Sequence, residues 1–207
     1  MKKLVAVFAV LVTISVGTAF AAKKSNGMGM YARASLGYAN WNVESQSVSH
    51  FDIEPVFGVT NLFPVEGLGI EAFVDVNFGS KDILGNYDFK SQVYAPGARA
   101  LYARSIGSFT GDRGILEQII PYAGAGFCIP IVHWSSEIKE PVYDSTLNKT
   151  ITKTITYSDT SVKFDMDTIF GCAFAFTDQF AAHAEFALRF GGIFDYSFRL
   201  GGAFKFM

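Results

Sequence analysis

The sequence predicts an all-β fold, an eight-stranded antiparallel up-and-down transmembrane β-barrel, on three observations. First, the final segment alternates: Tyr196, Phe198, Leu200, Gly202, Phe204 and Phe206 share one face, and Asp195, Ser197, Arg199, Gly201, Ala203 and Lys205 share the other. A period of two is the signature of a strand, and pairing this last strand with the first would remove both sheet edges. Second, the same alternation recurs in seven earlier segments. Third, charged residues make up only 17% of the chain while aromatics reach 15%, with 21 Phe. Something other than water must meet those apolar groups, yet beyond the N-terminal segment no apolar run is long enough for a transmembrane helix.

The N-terminus fixes the compartment. Lys2 and Lys3 precede a mostly apolar stretch at 4–17, and Ala19-Phe20-Ala21 places small residues where a signal peptidase reads them. The pattern predicts export and cleavage after Ala21, so that 1–21 is a signal peptide and 22–207 one barrel domain. No Pro/Ser-rich linker divides that domain, and no cysteine near the cleavage site suggests a lipoprotein.

Strand one is expected over 28–41, with Met28, Met30, Ala32, Ala34, Leu36 and Tyr38 opposite Tyr31, Arg33, Ser35 and Gly37. A polar loop at 42–49 leads to strand two, where Phe51, Ile53, Pro55, Phe57 and Val59 alternate with Asp52, Glu54, Gly58 and Thr60. Pro55 lacks an amide donor and marks an edge or bulge there. A turn at 61–67 opens strand three, whose polar face carries Glu71 and Asp75. After a loop at 80–86, strand four covers 88–103 with a bulge expected at Pro96. The stretch 104–118 is polar and glycine-rich, with a helical turn at 114–119. Strand five follows at 121–134, and then the longest loop, 135–160, rich in Ser, Thr, Lys and Glu and without an apolar face to bury. Its Thr/Ile alternation at 151–157 would extend the flanking strands as a ribbon. Strands six (162–176) and seven (180–190) are joined by a tight turn at 177–179, and Gly191-Gly192 turns the chain into the last strand.

Alternation alone fits soluble and membrane barrels alike. A soluble barrel would turn its charges outward and enclose more aromatics than eight strands can hold. The glycines and alanines instead share the charged face, which suits a narrow interior. Connection lengths also alternate, with 61–67 and 177–179 short and 42–50, 79–87 and 135–160 longer, as expected of periplasmic turns and outer loops; the connection at 104–118 and the short last loop are exceptions. Trp41 and Trp134 end strands at the expected outer boundary and are read as interface anchors, as is Phe206 at the opposite one.

The inward set contains Arg33, Glu54, Glu71, Asp75, Arg99, Lys163, Asp165, Asp167, His183, Glu185, Arg189, Asp195 and Arg199. Isolated charges in so small a space are expensive. The expectation is an interlocked salt-bridge network, centred on Arg33, Glu71, Asp75, Arg99, Asp167, Glu185, Arg189, Asp195 and Arg199, that plugs the barrel. Charge also selects register: a three-residue turn at 191–193 sets Arg189 against Asp195 and Glu185 against Arg199, while the turn at 177–179 sets Asp167 against Arg189.

These eight alternating segments, the leader, pieces such as Pro121-Tyr-Ala-Gly-Ala-Gly126 and the aromatic last strand resemble the small eight-stranded outer-membrane barrel family, of the outer membrane protein A and X kind. The resemblance implies an integral protein of the bacterial outer membrane, reached after export across the inner membrane. It also implies outer-membrane lipid as surroundings and the barrel-assembly machinery as a partner in biogenesis. That machinery recognises a terminal aromatic, and here Met207 follows Phe206. No peptidoglycan-binding role is carried over.

The leading functional expectation is a non-enzymatic barrel whose surface loops, above all 135–160, support the envelope or contact an extracellular ligand. Alternatives are a narrow porin-like channel and a lipid A-modifying enzyme, for which His183, Glu185 and Ser197 are the candidate base, orienter and nucleophile. A net charge of −2 argues against a nucleic-acid partner. No cofactor is expected, and no Cys/His spacing suggests a metal site. Cys128 is expected inward and Cys172 outward, hence unpaired.

Overall fold

The computed structural model describes residues 29–43, 46–61, 65–83, 87–111, 114–144, 149–192 and 194–206. The leader expected at 1–21 and Met207 lie outside the described residues. The described residues form ten strands: β1 (Gly29–Val43), β2 (Gln46–Thr60), β3 (Leu68–Ile83), β4 (Tyr87–Ala103), β5 (Ile119–Cys128), β6 (Ile131–Asp144), β7 (Lys149–Val162), β8 (Asp165–Ala175), β9 (Phe180–Gly191) and β10 (Phe194–Phe206). Two short helices, α1 (Ile106–Thr110) and α2 (Ile115–Gln118), lie between β4 and β5.

All neighbouring strands are antiparallel, and β1 pairs with β2 on one side and β10 on the other, from Met30 opposite Phe206 upward. With β3 bonded to both β2 and β4, the ladder closes on itself. The ring has eight staves, because β5 continues into β6 and β7 into β8. Both composite staves break at one height, at 129–130 and 163–164, and the register passes through unchanged: Cys128 faces Asp165 and Ile131 faces Val162. The Lys163 N–H donates to the Pro130 carbonyl across the break at 2.9 Å.

The bulge expected at Pro96 is a ladder break instead. Gly97 faces Cys128 and Tyr94 faces Ile131, so equal numbers of residues pass on both sides and none is extra. Pro55 behaves alike: the β2–β3 ladder lapses between Ile53–Val76 and Val56–Phe73 without slipping. A proline removes one donor but need not add a residue.

The loops expected at 42–49, 80–86 and 135–160 are mostly strand. β1 reaches Val43 and β2 restarts at Gln46, β3 and β4 extend to Ile83 and Tyr87, and β6 and β7 run on to Asp144 and Lys149. Residues at these positions include many Thr, Ser, Tyr and Val, which hold strand geometry when both faces meet water. The longest connection without strand is 104–118, at the end that carries Gly29 and Phe206. There Ser105 caps α1 by accepting from the Ser108 N–H, and Gly111, at φ 74°, ends it by donating to the Gly107 carbonyl.

Outside, the even positions of β1, β8, β9 and β10 carry no Asp, Glu, Lys or Arg. Leu36, Phe51, Phe170, Phe186, Phe198 and Leu200 are all exposed on the outer wall. The 13 residues of β10, rising about 3.3 Å each and tilted by about 40°, span roughly 30 Å of thickness, which covers an apolar band about 25 Å tall. The wall is thus a lipid-facing surface, and no helix among the described residues is long and apolar enough to cross a membrane.

Candidate functional site

The odd positions of β1, β9 and β10 and the polar faces of β2, β3, β4 and β8 point to the barrel axis, and there they build a continuous ionic plug. Four arginines hold it. Arg33 reaches Glu54 at 3.3 Å, Glu71 at 3.0 Å and Glu185. Arg99 bonds Glu54 at 2.7 Å, Glu71 at 2.6 Å and Asp167 at 3.0 Å. Arg189 bonds Asp75, with Asp167 and Asp195 each at 3.4 Å. Arg199 bonds Asp52, Glu54 at 2.7 Å, Asp75 at 2.8 Å and Glu185 at 3.2 Å. Each guanidinium offers a planar fork of donors, and here each fork is shared among carboxylates from different strands, which ties the staves together across the axis.

The structure therefore brings together Arg33, Glu71, Asp75, Arg99, Asp167, Glu185, Arg189, Asp195 and Arg199. The register is the one that charge selects: Asp195 faces Arg189, Arg199 faces Glu185, and Asp167 faces Arg189 from the other side. Lys163 departs from the expected interior set. It is exposed in the break between β7 and β8, level with the rim where β9 ends at Gly191.

Sequence reasoning missed several members. Asp52 sits at an inward position of β2 beside Glu54, a parity that was available to find it. Tyr31 and Tyr122 donate their phenols to Glu71 and Glu185. Each lies over a glycine on the next strand: Tyr31 faces Gly58 and Tyr122 faces Gly171. A Cβ on either glycine would come within 2.3 Å of the tyrosine Cζ, so these two glycines make room for the rings.

Towards the end away from the chain termini the plug gives way to an apolar cap. Trp41, Val93 and Val132 pack with Ala39 there. Trp41 is fully buried, 5.7 Å from the His50 ring and 5.8 Å from the Arg189 guanidinium. It is not a lipid anchor. Trp134 is not one either: it shares the inward side with Val132, faces Ser91, and stacks on Phe89 at 6.0 Å. Both sit at inward parity, and alternation outweighs the preference of indole for a membrane boundary. Phe206 does face outward, opposite Met30 and edge-on to Phe204 at 4.9 Å.

At the terminal end a cavity of about 340 Å³ opens below the plug. Tyr31, Tyr122, Leu101 and Ala203 line it, and Arg104 at its rim pairs with Glu66 at 3.1 Å.

The candidate catalytic trio does not assemble. His183 Nε2 lies 2.8 Å from Ser35 Oγ, and Glu185 belongs to Arg33 and Arg199. Ser197 faces Ala187, while His183 faces Gly201, four residues further along β10. Cys128 is buried and Cys172 exposed, and both are free. Among the described residues no group of His, Cys, Asp and Glu has the arrangement of a metal site.

Beyond the apolar cap the molecule is lopsided. β9 and β10 end at Gly191 and Phe194, whereas β6 and β7 continue as a ribbon paired from Ile131–Val162 to Asp144–Lys149. β4 supports its lower half, up to Tyr87 opposite Ile138. Among the described residues β7 pairs with β6 alone, so no strand covers its other edge, although the Thr160 N–H is taken by the Asp159 carboxylate at 2.7 Å. One face of the ribbon aligns Val142 with Ile151, Ile138 with Ile155 and Ser136 with Tyr157; the other face of β7 is a row of Thr and Ser. The expectation that 135–160 has no apolar face is thereby corrected.

No family model matches the chain, and no curated protein matches it. Among solved structures it is similar to Neisserial surface protein A, at TM-score 0.57 and 15% identity over 86% of this chain and 99% of that one. It is likewise similar to a major outer membrane protein from Thermus thermophilus, at TM-score 0.54 and 13% identity over 87% of this chain and all of the other. At such identities the likeness is one of fold: this chain has the architecture of the small eight-stranded outer-membrane barrels.

Proposed function

We propose that the protein is a non-enzymatic barrel of the bacterial outer membrane whose β6–β7 ribbon meets protein partners outside the cell. In this reading the leader exports the chain across the inner membrane. The barrel-assembly machinery inserts it among outer-membrane lipid, and the end bearing the termini faces the periplasm. The observation that carries it is the open edge of β7. A long edge strand presents unpaired backbone N–H and C=O groups, and proteins that must avoid association shorten, bend or proline-block such edges. β7 has no Pro and no Gly, and of its 14 residues only Lys149, Lys153 and Asp159 are charged. Such an edge takes up an extended segment of another chain by main-chain bonding, with selectivity from the alternate side chains.

Two further features support the reading. The plug and the apolar cap fill the axis in succession, which favours a closed barrel over a channel. The separation of His183 from Ser197 and the commitment of Glu185 to two arginines leave the expected trio unassembled, which favours a binding role over lipid A chemistry. The test is the binding of labelled extracellular-matrix and serum proteins to cells displaying either the full chain or one with 139–154 replaced by an Asn-Gly turn. Binding lost on shortening, with the fast gel mobility of the unheated barrel retained, is the expected result. Equal binding by both forms overturns the proposal, and stable single-channel steps in a planar bilayer would overturn the closed barrel.

A further inference from the structure

We infer that the open edge of β7 pairs with the same edge of a second copy on a facing membrane, making the ribbon a homotypic contact between cells. The inference rests on the reading of the ribbon as a contact surface and names its partner.

Direction and charge decide between the possible pairings. Two copies in one bilayer hold their ribbons pointing the same way at the same height. Bringing one β7 edge against another in the same bilayer takes a half-turn about the membrane normal, which makes the strands parallel, with same-numbered residues at one height but on opposite faces. The pleats then fall out of phase, and side chains that should share a face do not. Lys153 and Asp159, six residues apart along β7, are not brought to a common height in this arrangement.

Two copies on facing membranes present their ribbons head-on, so their edges meet antiparallel around a two-fold axis. Centred on Thr156, this pairing sets Lys153 against Asp159 twice and Ile155 against Tyr157 twice. On the opposite face it sets Thr156 against Thr156, Thr154 against Ser158 and Thr152 against Thr160. Opposite charges, an aromatic beside a β-branched residue and Thr–Thr pairs are the favourable cross-strand combinations. The register also keeps odd residues with odd ones, so the apolar stripe of Ile151, Ile155 and Tyr157 continues from one ribbon to the next. Sliding by two residues puts Lys153 against Tyr157 and Asp159 against Ile151, and both charge pairs are lost. Within the chain Asp159 stands across from Trp134 and accepts the N–H of its neighbour Thr160 at 2.7 Å; β6 supplies no cation opposite it, and a second copy does. Full overlap of 150–162 would hold the two bilayers roughly 30–40 Å apart at a strand rise of about 3.3 Å per residue.

The full chain is reconstituted into two populations of phosphatidylcholine vesicles, one carrying a donor dye and the other an acceptor, and clustering is read by energy transfer. Clustering is expected only when both populations carry the protein, and it weakens with added salt. The Lys153→Asp and Asp159→Lys variants each turn two attractions into two repulsions and lower clustering by roughly tenfold or more. Mixing one single variant with the other restores it, because each then supplies the charge that its counterpart lacks. Each variant must show the fast mobility of a folded barrel before heating; the pair Lys153→Glu and Asp159→Arg repeats the exchange should one fail to insert. Native vesicles that do not cluster, clustering with protein on one side only, unaffected single variants, or no rescue on mixing each overturn the homotypic contact. If matrix or serum proteins still bind through the ribbon while native vesicles stay dispersed, only the choice of partner has failed. If shortening the ribbon changes neither property, the surface reading has failed with it.

Discussion

Arg199→Met is the most searching perturbation of the interior. The side chain is 1% exposed and spans Asp52, Glu54, Asp75 and Glu185 from β2, β3 and β9. Methionine keeps much of the length and removes the charge, so packing loss is kept small. Three of the four carboxylates retain another guanidinium: Glu54 keeps Arg33 and Arg99, Glu185 keeps Arg33, and Asp75 keeps Arg189. Asp52 keeps none among the ion pairs described. Removing one partner of a buried pair leaves an uncompensated charge and costs about 3–5 kcal/mol. The Arg104–Glu66 pair at the rim, whose side chains are 31% and 71% exposed, sets the contrast, and Arg104→Ala should cost about 0–1 kcal/mol. The assay is urea unfolding of the barrel in detergent micelles, followed by gel mobility without heating. Adding Asp52→Asn to Arg199→Met should recover about 0.5–3 kcal/mol, because the two sites are coupled. A loss below about 1 kcal/mol for Arg199→Met, or a double variant in which the two losses simply add, would refute the network account.

The two faces of the wall carry further expectations. Trp41→Ala removes the largest side chain of the apolar cap and should cost about 3–5 kcal/mol in the same unfolding assay. In a Trp134→Phe background the fluorescence of Trp41 should be insensitive to brominated lipid, and strong quenching would place it in the membrane instead of the interior. Leu200→Arg puts a charge on the outward face opposite Leu36, near mid-membrane, and should cost about 2–4 kcal/mol in bilayers. A neutral effect would mean that this face does not meet hydrocarbon.

Below the rim the fold was legible because each face meets one medium. On β10 lipid demands Phe198 and Leu200, the axis demands Ser197 and Arg199, and a period of two is the direct result. On the β10 side register was legible for the same reason, since a shift by two residues would oppose Arg189 to Ser197; on the β8 side both Asp165 and Asp167 offer a carboxylate, and the tight turn at 177–179 decides. Above the rim both faces of a strand meet water, so the contrast between faces fades. Thr152, Thr154 and Thr156 then look like loop residues, although β-branched side chains favour strand geometry without any hydrophobic contrast. The tyrosines Tyr31 and Tyr122 were hidden for another reason. Their place inside depends on Gly58 and Gly171 across the strand, a relation that appears only once the registers of both ladders are known. Trp41 and Trp134 were misplaced because a general preference of indole was set above the parity of their own strands.

The position of the ladder breaks connects the plug to the ribbon. Pro96, Pro130 and the pair 163–164 fall on three adjacent staves at one height. That height lies just above Cys128 and Asp165, where the composite staves leave the ring formed with β9 and β10. Below it, every stave has neighbours on both sides, and four guanidiniums bond the staves across the axis. Deformation there would strip buried charges of their partners. Above it, β7 has one neighbour and no cross-axis bonds among the described residues, so bending disturbs only one ladder. In the proposed contact the ribbon has to find an edge on another molecule and needs such freedom, whereas a wall that must hold charges inside a membrane cannot have it. The prolines divide the two regimes by omitting backbone bonds, while the Lys163 N–H to Pro130 carbonyl and Ile129 N–H to Pro96 carbonyl bonds, each 2.9 Å, keep the register through the division. The ribbon can therefore tilt on the rim without slipping, which keeps Lys153 and Asp159 at the fixed spacing along β7 that an opposing edge would have to match.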